Sequence, residues 1–134
     1  YYMYFTGWKL GKTVPFYNSV GLAISDNPEG PFNFLSKAPI LELTDEEPYG
    51  FGSSFCRFNN KKLKYELYYT SFEDWFLHDG SLVHRYCLKK TESANGIKWN
   101  RPGEIIISNQ SINDAMICRP SKEVLILITK FIQQ

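Results

Sequence analysis

The sequence has 134 residues, a formal net charge of +1, and 16% aromatic and 22% charged residues. This composition supports one globular domain with a hydrophobic core and excludes a disordered chain. No basic block is present to hold nucleic-acid phosphates, and no apolar run approaches the roughly 20 residues of a membrane span. We therefore expect neither a nucleic acid nor a membrane as a partner.

The first part of the chain is predicted to form short strands separated by turn-rich segments. Aromatic and β-branched residues indicate strands at residues 1–6, 20–25 and 32–35. A loop is predicted at residues 9–18. The Asp, Asn, Pro and Gly residues at 26–31 supply the chemistry of a tight turn.

The second part continues this pattern, with a hairpin turn at residues 59–62 and a loop at residues 72–80. Strands are predicted around these connections, at residues 51–58, 63–70, 82–90 and 97–100, with further extended segments at 104–107 and 115–121. No stretch keeps a helical period long enough to compete with this pattern. The predicted fold class is therefore all-β.

An internal repeat is the strongest signal in the sequence. Offsets of 64, 68 and 66 positions relate three pairs of residues: Tyr4 with Tyr68, Ser25 with Ser93, and Gly30 with Gly96. Four short antiparallel strands per repeat are typical of a β-propeller blade, whereas a β-sandwich predicts no internal repeat.

The repeat predicts a single partial β-propeller domain of about two blades. Residues 1–44 would form the end of one blade and residues 45–107 a complete blade of four antiparallel strands. Residues 108–134 would begin a third blade and end in an atypical tail. One blade cannot bury both of its faces alone, so further blades or a homo-oligomer would have to cover the exposed faces.

Four motifs resemble those of five-bladed β-propeller glycosidases, the arabinanase- and levansucrase-like group that includes glycoside hydrolase family 43. The motifs are Tyr-Met-Tyr-Phe-Thr-Gly-Trp (2–8), Gly-Leu-Ala-Ile-Ser-Asp (21–26), Ser-x-x-Gly-Ile-x-Trp (93–99) and Cys-Arg-Pro-Ser (118–121). The resemblance implies a five-bladed propeller that hydrolyses or binds a carbohydrate, with a third carboxylate in blades outside this chain. Residues 122–134 depart from the family's glycine turn and aromatic strand, so we expect a truncated or frame-shifted gene product that is inactive alone.

The repeat also pairs two carboxylates, because an offset of 67 relates both Ser54 to Ser121 and Glu47 to Asp114. Both acids would precede inner strands at one end of the propeller channel. Hydrolysis of a glycosidic bond needs two carboxyl groups, separated by about 5–5.5 Å for retention or about 6.5–9.5 Å for inversion. Glu47 and Asp114 are therefore the predicted catalytic pair. The alternative is a solvated acidic loop and a turn residue.

Arg119 is the third predicted catalytic residue. It stands on a predicted inner strand among apolar neighbours, where an unpaired charge is costly. Arg119 would contact a carboxylate or sugar hydroxyls in the channel and would help to set which acid is ionised. A structural ion pair is the alternative.

Trp8, Trp75 and His84 are the predicted substrate-binding residues. Flat aromatic side chains beside loops suit the apolar faces of sugar rings, although packing at the rim or in the core would use the same residues. His84 leads into a strand and is the better of the two histidines for a polar role, with an ordinary loop residue as the alternative. No metal or other cofactor is predicted.

The three cysteines, Cys56, Cys87 and Cys118, stand in apolar strand-like contexts and cannot all pair within one chain. Buried reduced thiols are the simplest interpretation, and they favour a cytoplasmic protein. Residues 1–20 show no basic start followed by an apolar core, so no signal peptide is predicted.

The favoured function is thus a glycosidase-like propeller fragment with a carbohydrate as its partner. Two alternatives stay open at this point. One is a non-catalytic carbohydrate-binding propeller, for example in surface-polysaccharide synthesis, and the other is a propeller used for protein contacts.

Overall fold

The computed structural model describes residues 1–108, which form seven β-strands and no helix. The strands are β1 (Tyr2–Leu10), β2 (Phe16–Ile24), β3 (Asn33–Phe34), β4 (Phe51–Asn59), β5 (Lys64–His78), β6 (Ser81–Ser93) and β7 (Glu104–Ser108). The all-β prediction is confirmed for this part of the chain. Asp114, Cys118, Arg119 and the predicted strand at residues 115–121 lie outside the described residues.

The strands form two antiparallel sheets, each with its strands in sequence order. The first sheet has the order β1-β2-β3, and the second has the order β4-β5-β6-β7. Every neighbouring pair is antiparallel, so short hairpins and turns suffice to connect them. No helix in residues 1–108 could cross a membrane.

The predicted loops at residues 9–18 and 72–80 are wrong in part, because strand pairing continues through them. β1 and β2 form an unbroken ladder in which Trp8 lies opposite Asn18. β5 and β6 likewise stay paired beyond a bulge that follows Phe72. Cross-strand backbone hydrogen bonds therefore extend both hairpins over segments whose local composition indicates a loop.

The predicted outer strand at residues 97–100 is also wrong. The Asn95 side-chain oxygen accepts the backbone N–H groups of Ile97 and Lys98, both at 3.0 Å, and this Asx turn replaces the extended backbone that a strand would need. The fourth strand of the sheet is β7 instead, in the segment that the sequence indicates as extended.

The same kind of turn follows β2 in the first sheet and β6 in the second. Ser25 Oγ accepts the backbone N–H of Asn27 at 3.0 Å, and Ser93 Oγ accepts the backbone N–H of Asn95 at 3.2 Å. Ser25 also donates its N–H to the Tyr1 carbonyl, while Ser93 lies opposite Tyr65. The order β1-β2-β3 thus repeats the order β5-β6-β7, with matching registers where β2 and β6 end.

The main hydrophobic core lies between the two sheets. Its members are fully buried side chains from both sheets and from the segment between them: Val20, Leu41, Phe51, Leu67 and Tyr69. A smaller cluster around Tyr68 and Leu88 covers the opposite face of the second sheet. The second sheet is therefore apolar in its middle on both faces, as expected for a layer between other layers.

A close backbone contact joins the sheets at Gly50. Gly50 and Asn18 form an isolated parallel bridge, and Gly50 has a φ of 133°. A Cβ atom added at Gly50 would lie 2.7 Å from the Asn18 backbone nitrogen. This approach between β2 and the start of β4 therefore requires glycine.

We predict that Gly50→Ala destabilises the protein more than Gly80→Ala does. Gly80 has a φ of 76°, but a methyl group added there would meet no other atom within 4 Å. Gly80→Ala therefore costs only the left-handed backbone conformation, about 1–2 kcal/mol. Gly50→Ala adds overpacking against β2, which costs about 1–3 kcal/mol more. Urea unfolding measures the free energy of unfolding of both variants. Equal losses of stability would contradict the interpretation that Gly50 makes a close contact with β2.

Candidate functional site

Three predicted substrate-binding residues lie in one aromatic cluster. Trp8, Trp75 and His84 all pack against Phe16, with ring centroids 4.6, 5.0 and 5.5 Å from the Phe16 ring. Trp75 and His84 also contact each other at 4.6 Å. Phe16 begins β2 inside the predicted loop, so the sequence analysis missed the residue that joins this cluster.

A cavity of about 310 Å³ opens beside the cluster. It lies where β1 and β2 of the first sheet meet β4, β5 and β6 of the second sheet. Gly52 contributes no side chain to its wall, and a bulge in β4 follows it. Aromatic rings and uncharged polar groups line the rest: Trp8, Phe72, Tyr86, Thr6, Asn18, Ser53 and Thr70. No charged side chain of residues 1–108 lines the cavity.

The three predicted residues have different positions relative to this cavity. Trp8 lines it, and 68% of the Trp8 side chain is exposed. Trp75 and His84 are not among the residues of its wall, but the His84 ring packs 5.0 Å from the ring of Phe72, which is. His84 Nε2 also hydrogen-bonds the hydroxyl of Tyr86, which does line the cavity. Trp8 is therefore part of the cavity wall, while His84 hydrogen-bonds a residue of that wall.

Asn18 is the most buried polar side chain of the cavity wall after Thr70, at 3% exposure. Its Oδ1 atom has no hydrogen-bond partner among residues 1–108. A buried polar atom without a partner costs about 1–3 kcal/mol, so such atoms in proteins call for a physical explanation. The bridge between Asn18 and Gly50 fixes this residue in place beside the cavity.

Glu47 occupies a different environment, a buried cluster of charges with 1% exposure. Its Oε1 accepts hydrogen bonds from the hydroxyls of Tyr69 at 2.9 Å and Ser71 at 3.3 Å, and lies 3.2 Å from Lys89 Nζ. Its Oε2 accepts bonds from the Nε and Nη2 atoms of Arg101, the former at 2.7 Å. Both carboxylate oxygens of Glu47 are therefore fully engaged by protein groups.

The cluster extends from Glu47 to a second carboxylate. Lys89 Nζ lies 3.2 Å from Glu73 Oε1, which also accepts a hydrogen bond from the Cys87 thiol at 2.8 Å. The Arg101 guanidinium stacks 4.4 Å from the centroid of the Phe51 ring. The buried Glu47 thus has two cationic partners, as a buried charge requires, and the exposed Glu73 is a second anionic partner of Lys89.

The protonation states in the cluster follow from these neighbours. Burial opposes the charge on Lys89, but Glu47 and Glu73 outweigh it and raise the pKa of Lys89 above its usual value. Burial, reinforced by the Glu47 carboxylate, raises the pKa of the Tyr69 hydroxyl. At neutral pH Lys89 is therefore an ammonium ion and Tyr69 a neutral hydrogen-bond donor.

The cavity and the Glu47 cluster lie on opposite faces of the second sheet. Along β5, Tyr69 and Ser71 alternate with Thr70 and Phe72, and alternate residues of a strand face opposite sides. Tyr69 and Ser71 bind Glu47, whereas Thr70 and Phe72 line the cavity. The structure therefore does not bring Glu47 to the predicted substrate-binding residues.

The cationic partners of Glu47 were missed by the sequence analysis. The predicted cation, Arg119, lies outside the described residues, as does Asp114. Lys89 gave no local signal, because it stands at the polar end of a predicted strand, with Lys90 and Thr91 after it. Arg101 gave none, since 54 residues separate it from Glu47. Residues 1–108 contain no group of three or more metal-ligating side chains.

Comparison with known proteins gives two curated relatives. They are "Uncharacterized protein MT1551" of Mycobacterium tuberculosis (strain CDC 1551 / Oshkosh) and "Uncharacterized protein Rv1502" of Mycobacterium tuberculosis (strain ATCC 25618 / H37Rv). Each is 28% identical over 118 residues, which cover 88% of this chain and 38% of the relative. The chain thus spans well under half the length of these relatives. No protein-family model and no solved structure matches it.

We predict that Glu47→Ala destabilises the protein by about 3–5 kcal/mol, because it leaves Lys89 and Arg101 buried without their carboxylate. Glu46→Ala is the matched control, since Glu46 is exposed in the same loop. Glu46→Ala should change the free energy of unfolding by no more than about 0.5 kcal/mol. Chemical unfolding at neutral pH compares the two variants. A small loss for Glu47→Ala would show that the cluster contributes little to stability.

Proposed function

We propose that the chain is part of a protein that binds a carbohydrate in the cavity beside Trp8. The observation that carries this proposal is the combination of an exposed aromatic face with uncharged hydrogen-bonding groups in one cavity. A sugar ring has an apolar C–H face and a rim of hydroxyls. Trp8 offers a flat surface for the first, and Thr6, Asn18 and Ser53 offer polar atoms for the second.

The absence of charge from the part of the cavity wall that residues 1–108 form supports an uncharged sugar as the ligand. A carboxylate or phosphate placed there would lose its hydration without gaining a cation, which is costly. The cationic pair described above, Lys89 and Arg101, is engaged by carboxylates on the opposite face of the sheet. A neutral sugar loses less hydration free energy than an anion on entering the cavity. Its hydroxyls can also donate hydrogen bonds to the Asn18 side-chain oxygen.

We also propose that the two sheets are β-propeller blades. The shared strand order and the matching Ser-x-Asn turns support a repeated unit, and the second sheet has the four antiparallel strands of a blade. The relation to five-bladed glycosidases is part of the same proposal and depends on the four motifs.

Hydrolysis by Glu47 and Asp114, with Arg119 as their cation, is the second proposal. Its support is that Glu47, a carboxylate of the kind that hydrolysis of a glycosidic bond needs, is held in place by Lys89 and Arg101. A catalytic carboxylate must also touch the sugar, and both Glu47 oxygens already bind protein groups. Carbohydrate binding without hydrolysis by Glu47 is therefore the better-supported function.

The binding proposal predicts that Trp8→Ala weakens sugar affinity about tenfold, because stacking and apolar contact worth about 1.4 kcal/mol are lost. Phe34→Ala is the matched control, since Phe34 is an exposed aromatic residue of the same sheet outside the cavity. Ligand-observed NMR with neutral and uronic-acid oligosaccharides gives both affinity and charge preference. Failure of every neutral sugar to bind the folded chain would overturn the proposal.

The hydrolysis proposal predicts a different result for Glu47→Gln, which keeps the side-chain shape. In the complete protein this variant should lose about 10²- to 10⁴-fold in turnover of a glycoside, while affinity at the Trp8 cavity stays unchanged. Circular dichroism checks that the variant is folded. Unchanged turnover would exclude Glu47 from catalysis and leave the binding proposal intact.

A further inference from the structure

Neither the backbone conformation nor the packing of residues 1–108 requires glycine at position 52. Gly52 lies inside β4 opposite Thr70, and its φ is outside the left-handed region that favours glycine. Among residues 1–108, a Cβ atom added at Gly52 would meet only Asn18 Nδ2 and Thr6 Cγ2, both at 3.9 Å. Glycine inside a strand weakens that strand and often marks a place where a ligand or another backbone approaches closely. Both neighbouring atoms belong to side chains, so a close backbone does not explain Gly52.

The next residue shows the opposite mismatch. Ser53 has a φ of 44°, a left-handed conformation in which glycine is favoured. It lies in the bulge of β4 between Gly52 and Phe55. The stability of this bulge alone would favour glycine at position 53 and a side chain at position 52. The chain has the reverse arrangement, and both positions line the cavity beside Trp8, where strained residues of this kind are most often found.

The space that Gly52 leaves open adjoins a polar group without a partner. Asn18 is only 3% exposed, and its Oδ1 atom has no hydrogen-bond partner among residues 1–108. The same amide carries the nitrogen that lies 3.9 Å from the position of the added Cβ atom. A ligand hydroxyl group in this space would donate a hydrogen bond to the amide oxygen. One bound group would therefore account for both the missing side chain and the unsatisfied oxygen.

We propose that Gly52 is a specificity-determining residue of the cavity. The space beside its Cα atom receives a free hydroxyl group of an uncharged sugar, and the Asn18 side-chain oxygen accepts a hydrogen bond from that hydroxyl. This inference rests on the carbohydrate-binding proposal and narrows it to sugars with an unsubstituted hydroxyl group at one ring position. A ligand atom in contact with the Gly52 Cα lies about 3.5–4 Å from it, so a methyl group at position 52 would displace the ligand.

The first test needs no sugar and distinguishes a glycine that serves packing from one that serves a ligand. Gly52→Ala is compared with Gly7→Ala. Gly7 of β1 does not line the cavity, and among residues 1–108 a Cβ atom added there would meet only Ser19, at 3.7 Å and beyond. Both variants should keep or raise the urea midpoint, because alanine restricts the unfolded chain more than glycine does. A lower midpoint for Gly52→Ala would show that the fold itself needs this glycine and would overturn the inference.

The second test measures sugar affinity by ligand-observed NMR. The probes are the methyl glycosides of glucose, galactose, mannose and xylose, together with the monodeoxy derivatives of each sugar that binds. Gly52→Ala should lower the affinity for the parent sugar at least about tenfold, as one surplus methyl group in a pocket does. Gly7→Ala should leave that affinity unchanged. One monodeoxy sugar should bind the unaltered chain more weakly but lose little more affinity with Gly52→Ala, because the displaced hydroxyl is already missing.

Two affinity results would overturn the inference and leave the carbohydrate-binding proposal intact. The first is equal affinity of Gly52→Ala and the unaltered chain for the parent sugar. The second is an equal loss with Gly52→Ala for the parent sugar and all of its monodeoxy derivatives, since no single hydroxyl group would then occupy the space. Failure of every neutral sugar to bind the unaltered chain would overturn the carbohydrate-binding proposal itself, and this inference with it.

Discussion

The ion pairs of Glu47 with Lys89 and Arg101 hold together the parts of the structure on which the cavity depends. Glu47 lies in the segment between the two sheets, and its turn is closed by reciprocal backbone hydrogen bonds with Thr44 of 3.1 and 3.2 Å. Its carboxylate fastens this segment to β5, β6 and the turn before β7. Gly50, three residues after Glu47, forms the bridge to Asn18. The ion pairs of Glu47 therefore also fix the position at which β2 approaches the second sheet.

This arrangement explains why a buried carboxylate is retained on an apolar face. A buried ion pair adds little net stability compared with an apolar replacement, but removal of one member leaves an uncompensated charge. Glu47 contacts two cations from different parts of the chain, and Tyr69 and Ser71 add hydroxyl donors. Such a site accepts only one placement of the connecting segment. Its contribution is therefore to geometry as well as to energy.

Local patterns in the sequence predict the strands and turns well but not where the hairpins end. The Asn-Gly turn and the Asn59 hairpin turn follow from side-chain chemistry within a few residues. The extension of β1 and β2 depends instead on a ladder between segments that each look like loop. The outer strand is misplaced because the Asx turn of Asn95 controls the residues that follow it.

The residues of the candidate site also differ in whether a local sequence pattern indicates them. Trp8 precedes a predicted loop in the sequence, and the structure places it on the cavity wall. Phe16 and Asn18 are not indicated by such a pattern, since their roles come from pairing with β1 and from the bridge to Gly50. The charged partners of Glu47 depend on contacts across 42 and 54 positions of sequence, which no local pattern records.

The second sheet separates two kinds of polar chemistry by the alternation of its strands. The residues that face Glu47 carry or bind charges, and the residues that face the cavity are neutral. The cavity wall that residues 1–108 form therefore carries no charged side chain. The ion pairs on the opposite face of the sheet hold the strands of that wall in place.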